Sequence, residues 1–386
     1  MCDGSTPRAS GKDEANMGRW FCRGRWRNAG LVTGLFPPQE QAWALDAQVG
    51  LTPQALAKVC RESATTQSFD VAAASINEDW GTHYDGKQMQ RWSEHVGQKL
   101  VELEARERQE YARGKRPEGP AHAPQLLVVG LDGGRVQGRK KDPETKSRWK
   151  EDKVLTISSY LKGDGKDQEP ERLVTSYVAT MDKSREFGTL ARVEAERRGI
   201  RQALEVVVMG DAAAWIDTVQ GEHFSAHERI VDYSHAAERL WDCARAIAPA
   251  DPKRLGEGLE TDLYEGLLPR VLGWLEKQAQ RLGAVRTSDP EHHPRRVLAE
   301  NLTYFQRHRQ HMDYPRYRAR GWPIGSGVTE SGVKLFNKRV KGTEQFWNTQ
   351  GDQGVEAILA LRALRLSEDE RWRHYMLYGR LLRPAA

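Results

Sequence analysis

Three carboxylates, Asp132, Asp211 and Glu330, stand in settings from which they can act together on a phosphate. Asp132 follows the apolar run of QLLVVGLDGGRV (125–136), and Asp211 closes EVVVMGD (205–211). Both runs read as buried strands. Strand ends in a parallel region of a sheet are neighbours in space, so distant aspartates can converge there. Glu330 opens a helical pattern in which Glu330, Lys334, Lys338 and Lys341 share one face and Val333, Phe336 and Val340 form an apolar stripe opposite. Three hard oxygen donors in one place suit two magnesium or manganese ions about 3.5–4 Å apart, which favour in-line displacement at phosphorus. Each carboxylate also has an ordinary explanation: Asp-Gly-Gly is turn chemistry, Asp before Ala212 is a helix cap, and Glu330–Lys334 is a surface helix pair. Their joint setting, with a basic run beside the third, favours a common site.

The elements that must position them follow from the pattern. VLTISSYL (154–161) and LVTSYVATM (173–181) are two more β-rich runs. A helix follows over 189–199, then the strand ending in Asp211, a helix start at 212–216, and a short strand at 228–235. Strand–strand–strand–helix–strand–helix–strand is the order of an RNase H-like core. Residues 236–318 read as an all-helical insertion, with Leu259, Leu263, Leu267, Val271 and Leu275 stepping by four. Residues 319–386 return to the core and close with apolar helix positions from Val355 to Leu366.

Upstream, Thr52 and Pro53 announce a helix. Ala72, Ile76 and Trp80 make one helix face, Gly81 breaks it, and Met89, Trp92, Val96 and Leu100 make the next. The second helix exposes Lys87 and Arg91, and the pair fits a helix-turn-helix or an ordinary helical hairpin equally well. The expected division is a flexible basic segment at 1–44, a helix-turn-helix-like DNA-binding domain at 45–103, a linker at 104–123, and the first part of the core at 124–235.

The 386 residues carry a formal net charge of only +5, but its distribution is uneven. Between Arg295 and Gln345, eleven Lys and Arg, among them Arg318, Arg320, Lys334, Lys338, Arg339 and Lys341, face only Glu300, Asp313, Glu330 and Glu344. A local excess of this kind suits a polyanion, most simply nucleic acid. Cys2, Cys22, Cys60 and Cys243 show no zinc spacing, and no run is long and apolar enough to span a membrane. A soluble, cytoplasmic protein is expected.

GLDGGRV around Asp132, MGDAAAWI around Asp211 and GWPIGSGVTESGVKLFNKRVKG around Glu330 resemble the DDE motifs of ISKra-type insertion-sequence transposases, bacterial relatives of the Mutator-like transposases. The resemblance spans roughly 45–375 and is most specific in the third motif. It implies metal ligation by Asp132, Asp211 and Glu330, cleavage and strand transfer at element ends, double-stranded DNA as partner, and a homo-oligomer in the DNA complex. Asp232-Tyr233-Ser234-His235 resembles the [C/D]xxH motif of insertion-bearing members, which implies accessory roles for Asp232 and His235. The competing expectations are an RNase H-like nuclease or resolvase without strand transfer, and an inactive DNA-end-binding protein.

Overall fold

The computed structural model describes residues 46, 48–141, 145–162, 170–341, 346–347 and 353–379; the expected basic segment at 1–44 lies outside them. Helices α1 (Pro53–Thr65), α2 (Phe69–Trp80) and α3 (Gly86–Ala112) come first. Thr52 caps α1 ahead of Pro53, Gly81 stops α2 in the left-handed region, and Asp85 and Gln88 form a capping box at α3.

Two features of this region bear on the expected division at 45–103 and 104–123. Helix α3 continues to Ala112, through the first half of the expected linker, because its charged end has partners: Arg108 pairs with Asp182 at 2.8 Å and Glu107 with Arg197 at 2.6 Å. Nor do the N-terminal helices keep a core of their own. Leu56, Val59, Ile76 and Met89 share one apolar cluster with Val136, Val154, Phe336 and Ile358. At Gly97 the backbone of α3 comes so close to Ala357 that a Cβ would strike the Ala357 carbonyl.

The sheet has five strands: β1 (Leu126–Gln137), β2 (Trp149–Leu161), β3 (Glu171–Thr180), β4 (Glu205–Gly210) and β5 (Glu228–Val231), in spatial order β3-β2-β1-β4-β5. β2 runs antiparallel to β1 and β3, whereas β1, β4 and β5 are mutually parallel. Helices α4 (Ser184–Arg197) and α5 (Ala214–His223) make the crossovers and cover one face with Phe187, Leu190, Ile216 and Val219 against Leu127, Val129 and Val208. The free edge at β3 is closed by side chains, as edges must be. Thr175 N donates to Glu368 Oε2 at 2.9 Å, Tyr177 N to Ser367 Oγ at 3.0 Å, and Met181 N to the Glu356 carboxylate.

Every described element between Val231 and Gly327 is helical: α6 (Tyr233–Ile247), α7 (Lys253–Tyr264), α8 (Leu268–Leu282), α9 (Pro294–His308), a 3-10 turn and α10 (Tyr314–Ala319). The leucine series expected to form one stripe is split between α7 and α8. Gly266, at φ 75°, and a proline in the first turn of α8 break the helix, which leaves Leu267 44% exposed. Helices α11 (Gly327–Val340), α12 (Gln353–Leu366) and α13 (Arg371–Tyr378) complete the described chain. Among the described residues no helix is long and apolar enough to cross a membrane, and Cys60 and Cys243 are free and buried.

Candidate active site

The parallel register builds the site. Leu131 lies beside Gly210, and Gly210 beside Val231. The next residue on each segment is an aspartate, so Asp132, Asp211 and Asp232 each follow directly on one of these neighbouring positions. Asp132 is not at a strand end, as expected, but within β1, which goes on pairing with β2 to Gln137. The turn tendency of Asp-Gly-Gly is overridden by that ladder. Gly134 is needed there because a Cβ would run into the Asp152 carboxylate on β2.

Helix α11 brings Glu330 to the site. Thr329 Oγ1 and Thr156 Oγ1 of β2 are 2.8 Å apart, directly above Gly130, where any Cβ would overlap both hydroxyls. Asp232 fixes the start of that helix. Its buried carboxylate accepts from Ser326 N, from Ser234 Oγ and, at 2.8 Å, from His235 N as the cap of α6. This cap is why the expected strand over 228–235 stops at Val231. Tyr233 N donates to Ile324 O at 2.9 Å and ties the same two segments. Ser234 Oγ reaches Glu330 Oε1 at 3.1 Å, and Lys334 Nζ reaches Glu330 Oε2 at 3.5 Å. On the β4 side, buried Arg229 donates to Asp211 O at 3.0 Å and to the Asp217 carboxylate, holding the backbone that carries Asp211.

The tightest gathering of ligand atoms among the described residues is Asp232, His235 and Glu330, all within 4.8 Å of one another; Asp132, Asp211 and Glu330 do not close to that distance. Asp132 nevertheless senses the others. Burial pushes its carboxyl up to about 6, the Asp211 and Glu330 carboxylates add to the rise, and Gly133 N and His235 oppose it. Asp232 already accepts from three donors, whereas the buried Asp152 carboxylate, which also senses Asp132, has no hydrogen-bond partner among the described residues. Asp232 acts as the latch of the site. Asp232→Ala is therefore expected to cost about 2–4 kcal/mol in chemical denaturation, since it strands a buried N–H and uncaps α6, while Asp232→Asn costs less. A midpoint for Asp232→Ala equal to wild type would rule the latch out.

The basic residues expected to hold DNA divide into two groups. Lys334, Lys338 and Lys341 are exposed along or just beyond α11, and Lys87 and Arg91 are exposed on the first turns of α3. Arg339 is not available. Its place three residues after Phe336 puts it on the buried stripe, where it donates to Ser63 O at 2.7 Å and lies 4.4 Å over the Phe69 ring. Arg318 donates to Tyr264 O at 3.0 Å and stacks 3.7 Å above that ring. Arg320 lies over Trp322 and 3.7 Å from Glu205, at the opposite end of β4 from Asp211. Neither is brought to the carboxylates. Gly130, Thr329, Ser234 and Ser326 also contribute to the site and lie inside the motifs that carry its carboxylates, whereas Thr156 lies outside all of them.

No family model and no curated protein matches the chain. Among solved structures it is similar to the Drosophila P element transposase strand transfer complex, over 92% of this chain and 96% of that one, at 8% identity and a TM-score of 0.34. A likeness at that score carries no weight for function.

Proposed function

We propose that this protein is a DNA transposase of the DDE class, of the ISKra type, built on an RNase H-like core. The observation that supports the proposal is the register of β1, β4 and β5, which ends in neighbouring positions just before Asp132, Asp211 and Asp232, with the Glu330 helix seated on Gly130. The order β3-β2-β1-β4-β5, with β2 antiparallel and β1, β4 and β5 parallel, supports that reading. The donor set fits hard divalent cations, because carboxylates crowded on a half-buried face, one held up to about 6, gain most from an added positive charge. Two magnesium or manganese ions held by Asp132, Asp211 and Glu330 would supply Lewis acidity at phosphorus and a more acidic attacking hydroxyl.

The chain's own residues position and neutralise. The Asp232 latch holds Ser326 and Ser234, and through them Glu330, at a fixed height above the sheet. His235, within 4.8 Å of Glu330, is placed to hydrogen-bond a phosphate oxygen. Lys334, Lys338 and Lys341 line the approach as sequence-independent phosphate contacts. Helices α2 and α3, with Lys87 and Arg91 exposed after the Gly81 break, would serve as the end-reading helix-turn-helix. A homo-oligomer holding two DNA ends is part of the proposal.

The test is cleavage and joining of labelled duplexes carrying the DNA that flanks the protein's own gene, with magnesium, manganese or chelator. Metal-dependent cutting followed by joining of pre-cut ends to a target is the expected result. Cutting without joining would replace the transposase by a nuclease or resolvase. Binding with no cutting in any metal would leave an inactive end-binding protein.

A further inference from the structure

Beyond the carboxylates, β1 and β2 continue as a paired arm. The last ladder pair is Gln137 with Trp149, and Gly138 N still donates to Arg148 O at 2.7 Å. Gly138 is six residues past Asp132, which at about 3.3 Å per residue sets the arm's end roughly 20 Å from the site. The arm is not loose. Trp347 joins it in a single bridge: Trp347 N donates to Gln137 O at 2.9 Å and Arg139 N to Trp347 O at 2.9 Å. Trp347 Nε1 in turn bonds Val340 O, so the arm is fastened to the end of α11.

The surface it presents is basic and aromatic. Trp149 is 39% and Phe346 37% exposed, and each has a cation over its ring, Lys341 Nζ and the Arg148 guanidinium, both at 5.5 Å. Arg139, Lys140, Lys141 and Arg148 are exposed, and among the described residues Lys140 and Lys141 have no carboxylate partner. Among the described residues, the exposed acid nearest along these strands, Glu151, is answered by Lys153 at 3.3 Å. A protein–protein interface is depleted in lysine and charge at its centre, whereas clustered cations seated on exposed aromatic rings suit a phosphodiester chain.

We propose that this hairpin arm is a second DNA-contacting surface, which holds the duplex lying beyond the scissile phosphate by backbone charge, with the exposed edges of Trp149 and Phe346 against its sugars. The proposal deepens the functional reading above and rests on it for the identity of the polyanion, while the surface stands on its own observations. It is separate from the Lys334–Lys338 row and continuous with it through Lys341.

The test is the salt dependence of binding to a labelled random-sequence duplex, measured by anisotropy with the full chain in chelator. For Lys140→Ala/Lys141→Ala/Arg148→Ala, the slope of log affinity against log salt is expected to fall by about two to three, at roughly 0.9 per lost phosphate contact. Trp149→Ala is expected to weaken binding with the slope unchanged, since it removes an apolar contact and the seat of Lys341 but no charge. Melting temperatures within error of wild type exclude misfolding in either variant. A triple variant with wild-type slope and affinity overturns the arm and leaves the catalytic proposal standing, because that proposal is decided separately by metal-dependent cutting. A wild-type chain that binds no duplex at low salt overturns the arm outright.

Discussion

Asp132→Asn, Asp211→Asn and Glu330→Gln are each expected to lower DNA cleavage by about a thousandfold or more, with duplex binding retained. Each change is nearly isosteric and removes one anionic ligand from a site whose chemistry depends on positioned cations. Asp132→Asn carries a second, opposite expectation. The Asp132 carboxyl is raised to about 6 in the folded chain, chiefly by burial, from an ordinary value of 3.8. A raised carboxyl contributes stability that is fully present below the unfolded value and is lost as pH rises through the folded one. At pH 7.5 without metal the ionised group is therefore a net cost. Asp132→Asn should melt higher there by the equivalent of about 1–2 kcal/mol, allowing for solvent screening of a partly exposed group. Added magnesium should raise the melting temperature of wild type and do so much less in the variant, since a ligand stabilises only the state that binds it. Retained cutting in any of the three variants would end the triad assignment. Equal magnesium stabilisation of wild type and Asp132→Asn would end the role of Asp132 as a ligand even if cutting were lost.

Much of the site's framework is visible in the chain before folding. The apolar runs before Asp132 and Asp211 are long enough, and polar enough at their ends, to identify two buried strands, and the stripe of Val333, Phe336 and Val340 orients the Glu330 helix. What the chain hides depends on partners far away in sequence. Asp132 reads as a strand end because Asp-Gly-Gly looks like a turn, but the ladder to β2 carries the strand past it. Arg339 reads as a solvent cation because charge is the obvious property of arginine; the Ser63 carbonyl and the rings of Phe69 and Trp347 make a buried seat for it. Arg320 belongs to the basic run by number but is drawn to Glu205 at the far end of the sheet. The length of α3 is set by ion pairs to Asp182 and Arg197, which no local signal announces. Asp232 has a motif to mark it, yet its bond to Ser326, which is what orders the site, spans a whole helical block.

The close seat of α11 on the sheet makes Gly130 the position where the smallest change should have the largest mechanical effect. Gly130→Ala places a methyl group where Thr329 Oγ1 and Thr156 Oγ1 now meet, so either the hydroxyl pair breaks or the helix lifts. Overpacking of this kind costs about 1–3 kcal/mol. The loss of cleavage should be greater than that loss of stability implies, by about a hundredfold, because lifting α11 displaces Glu330 while Asp132 and Asp211 stay on their strands. Gly221→Ala provides the contrast. A Cβ at that exposed helical position meets nothing within 4 Å, and the change should stabilise the protein by about 0.5–1 kcal/mol with cleavage unaltered. Removing the obstruction is the sharper control. In Gly130→Ala/Thr156→Ala/Thr329→Ala both hydroxyls leave together, so no buried donor is stranded and room for the new methyl is restored. If α11 is held at its working height by that contact, the triple variant should recover most of the cleavage lost in Gly130→Ala, and the coupling between position 130 and the two threonines should exceed about 1 kcal/mol. If the triple variant regains stability but not cleavage, the Thr156–Thr329 hydroxyl pair itself, rather than the clearance above Gly130, sets the position of Glu330.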